Sequence, residues 1–167
     1  MPIRAAVVTV SDKGYAGVRQ DASGPLLSQL LRSAQVEVLY EIIVPDDQDR
    51  VADTLRALAD RGDLDLVLTT GGTGPAPRDW TPEATRQVVH RDFPGLAELL
   101  RWEGYKRTPR AVLSRGVAGL RGRCIIVNLP GSPRAVREGM EVLAPLLAHA
   151  VQMARGDNLE HRESAHD

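Results

Sequence analysis

An apolar run from Ile3 to Val10, interrupted only by Arg4 and Thr9, opens the chain. A segment that long without polar alternation has no face to turn to water. It belongs in a sheet covered by helices on both sides, which in practice means a parallel sheet. The remaining sequence repeats this theme. Ser23-Gly24-Pro25 opens a helix whose leucines, Leu26, Leu27, Leu30 and Leu31, recur at helical spacing until Gln35. Val36 to Val44 is rich in β-branched residues and reads as a second strand, ended by Pro45. Val51, Leu55 and Leu58 form the stripe of the next helix, and Leu64 to Thr69 a third strand.

Farther along, Thr81-Pro82-Glu83 supplies an N-cap, a helix-compatible proline and a first-turn acid for a helix to about His90. Another helix is predicted over Gly95 to Tyr105. Residues 108 to 123 read as a loop with a small edge strand, and Arg123 to Leu129 as a last buried strand. Ser132-Pro133 then caps a helix with the stripe Val136, Met140, Leu143, Leu147 and Val151. Pro145 lies inside that stripe and predicts a kink or two abutting helices. Strands alternating with helices make this an α/β protein with a mainly parallel sheet. Its 167 residues suit one domain, over 1–154, with a polar, frayed tail over 155–167.

Composition removes several classes of function. The 21 Lys and Arg balance 22 Asp and Glu, and there are only six aromatics (one Phe, two Trp, three Tyr). A general nucleic-acid binder would need a basic excess and stacking platforms, so no nucleic acid is expected. One cysteine, Cys124, excludes an internal disulfide framework and a Cys-rich zinc site. The four histidines lack metal-ligand spacing, and no Gly-x-Ser-x-Gly elbow occurs. No apolar run reaches the roughly 20 residues of a membrane span, and no cleavable leader pattern follows Met1. A cytoplasmic protein with no membrane association is the expectation.

In open parallel sheets ligands bind beyond the carboxyl ends of the strands. Here those ends lead into Ser11–Gly24, Pro45–Asp49, Thr70–Thr81 and Asn128–Ser132, all rich in Gly, Pro, Asp, Ser or Thr. Thr70-Gly71-Gly72-Thr73-Gly74 could present backbone N–H groups to an anion, or could be a tight strand-to-helix turn. Asp79 follows that loop, where an acid would repel a bound phosphate unless a divalent cation lay between them. Pro45-Asp46-Asp47 could add a second carboxylate, or could serve only to cap a helix. Asn128-Leu129-Pro130-Gly131-Ser132 fits either an anion contact or a plain capped turn. Between Arg101 and Arg123 seven basic residues face one acid, Glu103, so this block is +6 in a chain of −1. Most of these cations read as a solvated face, and one or two as an anion site near Ser114-Arg115.

Taken together, these loops resemble the molybdenum-cofactor biosynthesis family of MogA, MoaB and the gephyrin G domain. The likeness runs through Val8–Gly14, Asp21–Gly24, Val44–Asp47, the long block Leu66–Thr85, Leu113–Arg115, Gly119–Gly122 and Asn128–Pro133. It implies a three-layer α/β/α sandwich, commonly a homotrimer, that transfers AMP from Mg-ATP to molybdopterin and releases pyrophosphate. It places the two essential, magnesium-holding aspartates at Asp46 and Asp79. It places substrate contacts at Ser11, Asp12, Asp21, Ser23, Gly24, Thr70, Gly71, Gly72, Thr73, Gly74, Ser114, Asn128, Pro130, Gly131 and Ser132. Hand-over of the product to a molybdenum insertase is a further implication. Two competitors share the fold: a MoaB-like molybdopterin binder without transfer activity, and a CinA-type nucleotide hydrolase. A pure binder has no use for two carboxylates that repel its ligand.

Overall fold

The computed structural model describes residues 1–157. Its elements follow in the order β1 (Ile3–Val10), α1 (Asp12–Tyr15), α2 (Ser23–Ser33), β2 (Val36–Val44), α3 (Gln48–Ala59), β3 (Leu66–Thr70), α4 (Thr81–Val88), β4 (Arg91–Asp92), α5 (Pro94–Arg107), a 3-10 turn (Pro109–Leu113), β5 (Ala118–Arg121), β6 (Cys124–Leu129) and α6 (Pro133–Arg155). The sheet order is β2-β1-β3-β6-β5-β4. β2, β1, β3 and β6 run parallel, while β5 pairs antiparallel with β6 and β4 with β5. The sheet is therefore mainly parallel, with an antiparallel edge.

Alternation along β1 divides the core into two layers. Ala5 and Val7 pack with Leu27 and Leu31 of α2, Leu96 of α5 and the α6 stripe Val136, Met140, Leu143 and Leu147. Ala6, Val8 and Val10 face the other way, against Val51 and Leu55 of α3 and Ala84 and Val88 of α4. Leu27, Leu31, Leu55 and Leu143 are fully buried, and each such side chain contributes about 1.5–3 kcal/mol relative to exposure. This is the α/β/α sandwich that the resemblance implied.

The parallel register aligns the strand ends. Val10 pairs with Val44, Thr9 with Thr70, and Thr70 with Leu129. The four loops that follow β1, β2, β3 and β6 therefore leave the same edge of the sheet.

Three local expectations change. Thr81 is the first residue of α4 and not its cap; Trp80 holds the cap position, and the Thr81 hydroxyl donates instead to Gly71 O at 2.9 Å. Pro145 does not divide the last helix: α6 runs unbroken from Pro133 to Arg155, with Pro145 on its exposed side, away from the packed stripe. The polar tail does not begin at Arg155, which ends α6 and whose guanidinium grips Asp65 through two contacts of 2.8 Å. Residues 158–167 of that tail lie outside the described residues.

The Arg155–Asp65 pair is a clasp between the end of α6 and the start of β3, with side chains only 14% and 15% exposed. Arg155 also donates to Pro2 O at 2.9 Å, and the Arg4 amide donates to Asp65 Oδ2 at 2.9 Å. Burial alone would push the Asp65 carboxyl up, but the bonds from Arg155 and Arg4 outweigh it and hold the group below its ordinary range. The clasp's contribution is complete above the unfolded carboxyl's value of about 3.9 and fades as pH falls through the lower folded-state value. Asp65→Asn is therefore expected to lower the melting temperature at neutral pH and to flatten its decline below about pH 4, as measured by thermal melts across pH.

Candidate active site

The loop after β3 is held from three sides. The Gly71 amide donates to Leu129 O at 3.0 Å, Thr70 Oγ1 to Pro130 O at 2.8 Å, and the Thr81 amide to Gly72 O at 3.1 Å. Gly71 has φ of +102°, and a Cβ there would lie 2.3 Å from Val10 O. Only glycine lets the chain turn this tightly over the end of β1. Among the described residues the amides of Gly72, Thr73 and Gly74 have no backbone acceptor. That leaves a row of N–H groups at the mouth of a parallel sheet, the arrangement that suits a phosphate.

The structure separates the two neighbouring aspartates after β2. Asp47 caps α3, its Oδ1 accepting the Arg50 amide at 2.9 Å. Asp46 turns toward the glycine loop, where its Oδ1 lies 3.3 Å from the position a Gly72 Cβ would take. Reciprocal bonds fix it. The Asp12 amide donates to Asp46 Oδ2 at 2.9 Å, and the Asp46 amide donates to Asp12 Oδ1 at 3.0 Å. Arg78 closes the arrangement, donating to Asp12 Oδ2 at 2.6 Å and to Asp46 O at 3.2 Å.

Burial pushes the Asp46 carboxyl above its ordinary range, and the charges of Asp12 and Asp79 add to that. Asp12 is held below its range, chiefly by the Arg78 hydrogen bond. On the far side of the loop, Asp79 Oδ2 accepts the Ala76 amide at 3.1 Å and lies 2.8 Å from where a Gly74 Cβ would stand. Asp46 and Asp79 thus flank the glycine loop as a pair close enough to repel. Among the described residues no group of three acidic, His or Cys side chains converges on one point. Two carboxylates completed by ligand phosphates are what Mg²⁺ favours, so this donor set fits that ion and not a fully protein-bound metal.

Both carboxylates, with Ser11, Asp21, Ser23, Thr70, the 71–74 loop, Ser114 and Pro130–Ser132, line one cleft of about 1050 Å³. Asp12, Gly24 and Asn128 do not. Asp12 acts behind Asp46, as described. A Cβ at Gly24 would lie 2.3 Å from Thr9 Oγ1 and 2.4 Å from Asp21 Oδ2, so this glycine makes room for those groups. Asn128 is buried: Nδ2 donates to Thr69 and Thr85 hydroxyls at 3.0 and 2.9 Å, and Oδ1 accepts the Val117 amide at 3.1 Å. These bonds brace β6 and spend both of its side-chain N–H groups inside the protein.

Several cleft-lining side chains also serve the fold. Asp21 accepts from Ser23 and Gly24 amides at 3.1 Å and from Thr9 Oγ1 at 2.7 Å, closing the first turn of α2. Ser11 accepts the Gly14 amide at 3.0 Å, and Ser132 caps α6 through the Ala135 amide at 3.1 Å.

The basic block resolves residue by residue. Arg101 binds Gly116 O at 2.7 Å, Arg107 pairs with Glu141 at 2.5 Å, and Arg121 with Asp60 at 2.7 Å. Arg115, the sequence's candidate for an anion, is spent within the protein on Gly74 O, Asp79 O and Glu83. Burial would raise the Glu83 carboxyl, but the bond from Arg115 prevails and holds it below its usual range. Sequence reading missed Glu83 because it serves equally well as a first-turn acid of α4. It also passed over Arg19, which lines the cleft together with Arg110 of the basic block. An isolated surface arginine such as Arg19 carries no signal in spacing.

A family model described as a probable molybdopterin binding domain matches residues 6–149. A molybdopterin adenylyltransferase of Helicobacter pylori is 39% identical over 163 residues, covering 96% of this chain and 93% of that protein. The molybdenum cofactor synthesis protein cinnamon of Drosophila melanogaster is 44% identical over 153 residues, and there the chain spans 25% of the relative's length. The crystal structure of the molybdopterin biosynthesis enzyme MoaB from Thermus thermophilus superposes with a TM-score of 0.87 at 51% identity, covering 92% of this chain and 97% of that one.

Proposed function

Because the chain belongs to the family of probable molybdopterin binding domains, we propose that it is a molybdopterin adenylyltransferase that transfers AMP from Mg-ATP to molybdopterin. The observation that carries this reading is the pair Asp46 and Asp79 on either side of the Gly71–Gly74 loop, inside one cleft. Relatives of nearly the same length that bear this activity support it.

In the reaction an oxygen of the pterin's phosphate attacks the α-phosphorus of ATP. A P–O bond forms there as the bond to the β-phosphate oxygen breaks, and pyrophosphate leaves with that electron pair. Two anions must meet, so the protein's work is orientation and charge neutralisation. The free amides of the glycine loop and the first turn of α6 hold phosphate oxygens. Arg19 and Arg110 offset negative charge at the cleft's rim. Asp46 is set by the Asp12–Arg78 brace and Asp79 by its own loop, so neither needs to reorganise when substrate arrives. Mg²⁺ held by this pair would neutralise phosphate charge and ease departure of pyrophosphate.

The proposal extends to a cytoplasmic homotrimer that passes its product to a molybdenum insertase. Among the described residues no helix is long and apolar enough to cross a membrane. Exposed Trp102, Tyr105, Val112 and Leu113 offer apolar surface for self-association.

Incubation of the protein with Mg-ATP and molybdopterin is expected to yield pyrophosphate and an adenylylated pterin in equal amounts. AMP formed without pterin would identify a hydrolase, and pterin binding without pyrophosphate a binder. Either result would defeat the proposal.

A further inference from the structure

We infer that Arg115, locked to Glu83, is the positioning residue that sets the Asp79 loop for transfer. The inference rests on the adenylyltransferase reading and adds a role to a residue that touches neither substrate nor metal in it. One guanidinium reaches three places: Nε donates to Gly74 O at 2.9 Å, Nη2 to Asp79 O at 2.7 Å, and Nη1 to Glu83 Oε1. The residue's own amide donates to Thr73 O at 2.8 Å. Arg115 therefore holds the loop at its start, through Thr73 and Gly74, and at its functional end, through Asp79. Glu83, in the first turn of α4, orients the guanidinium from the third side.

Little else holds this loop. Pro75, Ala76, Pro77 and Arg78 are exposed and add nothing to either core layer. The loop's internal bonds join Ala76 and Asp79 to each other, and among the described residues its only other outward hydrogen-bonded tie is Arg78 to the Asp12–Asp46 unit. Asp79 thus depends on two arginines for its place opposite Asp46, and Arg115 is the one that bonds its own carbonyl. Arg115 also follows Ser114, which lines the same cleft from another segment. The guanidinium therefore couples two cleft walls. A lysine cannot replace it, since a single ammonium cannot serve two carbonyls and a carboxylate lying in a fork.

The test compares wild type with Arg115→Ala, Arg115→Lys and Glu83→Gln. Both Arg115 variants should lose about 10–100-fold in kcat, the usual scale for a group that orients a ligand-bearing side chain. KM for ATP and molybdopterin should stay within about threefold, as expected when binding groups are intact. Glu83→Gln should be milder, and the Arg115→Ala/Glu83→Gln double variant no worse than Arg115→Ala alone, because the pair acts as one unit. Methylguanidinium in solution should restore part of the activity of Arg115→Ala.

Hydrogen exchange gives a readout independent of turnover. The two hydrogen-bonded amides of the loop, Ala76 and Asp79, should exchange at least about tenfold faster in Arg115→Ala, while the β1 and β6 amides keep their protection. Unchanged kcat, full rescue by lysine, a rise in KM with kcat preserved, or unchanged exchange of the Ala76 and Asp79 amides would each overturn the inference. If wild type itself transfers no AMP, the functional reading fails, and the exchange result still decides whether Arg115 holds the loop.

Discussion

Asp79→Asn is expected to lower kcat for adenylyl transfer by about 10²–10³-fold, close to abolishing it, and to leave the fold intact. The magnitude is that of removing one preorganised charge-stabilising group from a transition state. Asparagine keeps the shape, so Oδ1 can still accept the Ala76 amide that the carboxylate now accepts at 3.1 Å. Arg115 contacts the Asp79 carbonyl and is unaffected by the change. The lost charge is one of the two that make the pair suitable for Mg²⁺.

Asp46→Ser is expected to behave similarly, because Asp47 and not Asp46 caps α3. Stability should fall by no more than about 1 kcal/mol for the lost bond from the Asp12 amide. In an Asp79→Asn background Asp46→Ser should add little, since residues that act together are not additive. Pyrophosphate release by the three proteins, with thermal melts alongside, checks this. Normal turnover by folded Asp79→Asn would remove the pair from the mechanism.

Gly71→Ala should be the most destabilising single-methyl change in the cleft. Its φ of +102° is strained for any L side chain, and the new Cβ would lie 2.3 Å from the Val10 carbonyl oxygen, a backbone atom that cannot swing away. Backbone strain and overpacking each cost about 1–3 kcal/mol, so a combined loss of about 3 kcal/mol or more is expected. For a chain of this size that lowers the melting temperature by roughly 6–12 °C. Gly95→Ala is the contrasting control. Nothing lies within 4 Å of its Cβ position near the start of α5, and its φ is unstrained. Alanine there should be neutral or stabilising by up to about 1 kcal/mol. Equal melting temperatures for the two variants would refute the argument from geometry.

The layers were legible before any coordinates, and for a simple reason. Ile3–Val10, Leu66–Leu68 and Ile125–Val127 carry apolar side chains toward both faces, so helices must cover both. The leucine stripe of α2 and the stripe of α6 supply that cover at helical spacing. Strand ends in a parallel sheet lie on one edge, which gathered the Gly, Asp and Ser loops into one region without further information. The two-residue strand β4 and the four-residue helix α1 escaped notice because neither is long enough to show a period.

Which atom meets which was decided only in three dimensions. Asp46 and Asp47 are indistinguishable as neighbours in a chain; the turn after β2 sends one to the α3 amides and the other to Asp12 and the glycine loop. Arg115 looked like a free cation until the fold brought Gly74, Asp79 and Glu83, between 32 and 41 residues away, to its guanidinium. Asn128 looked available until Thr69, Thr85 and Val117 closed on its amide. Apolar periodicity is a local property that each segment carries alone, so sequence determined the layers and the edge where the loops meet. A hydrogen bond acts over about 3 Å, so the partner of each polar group was settled only when distant segments packed together.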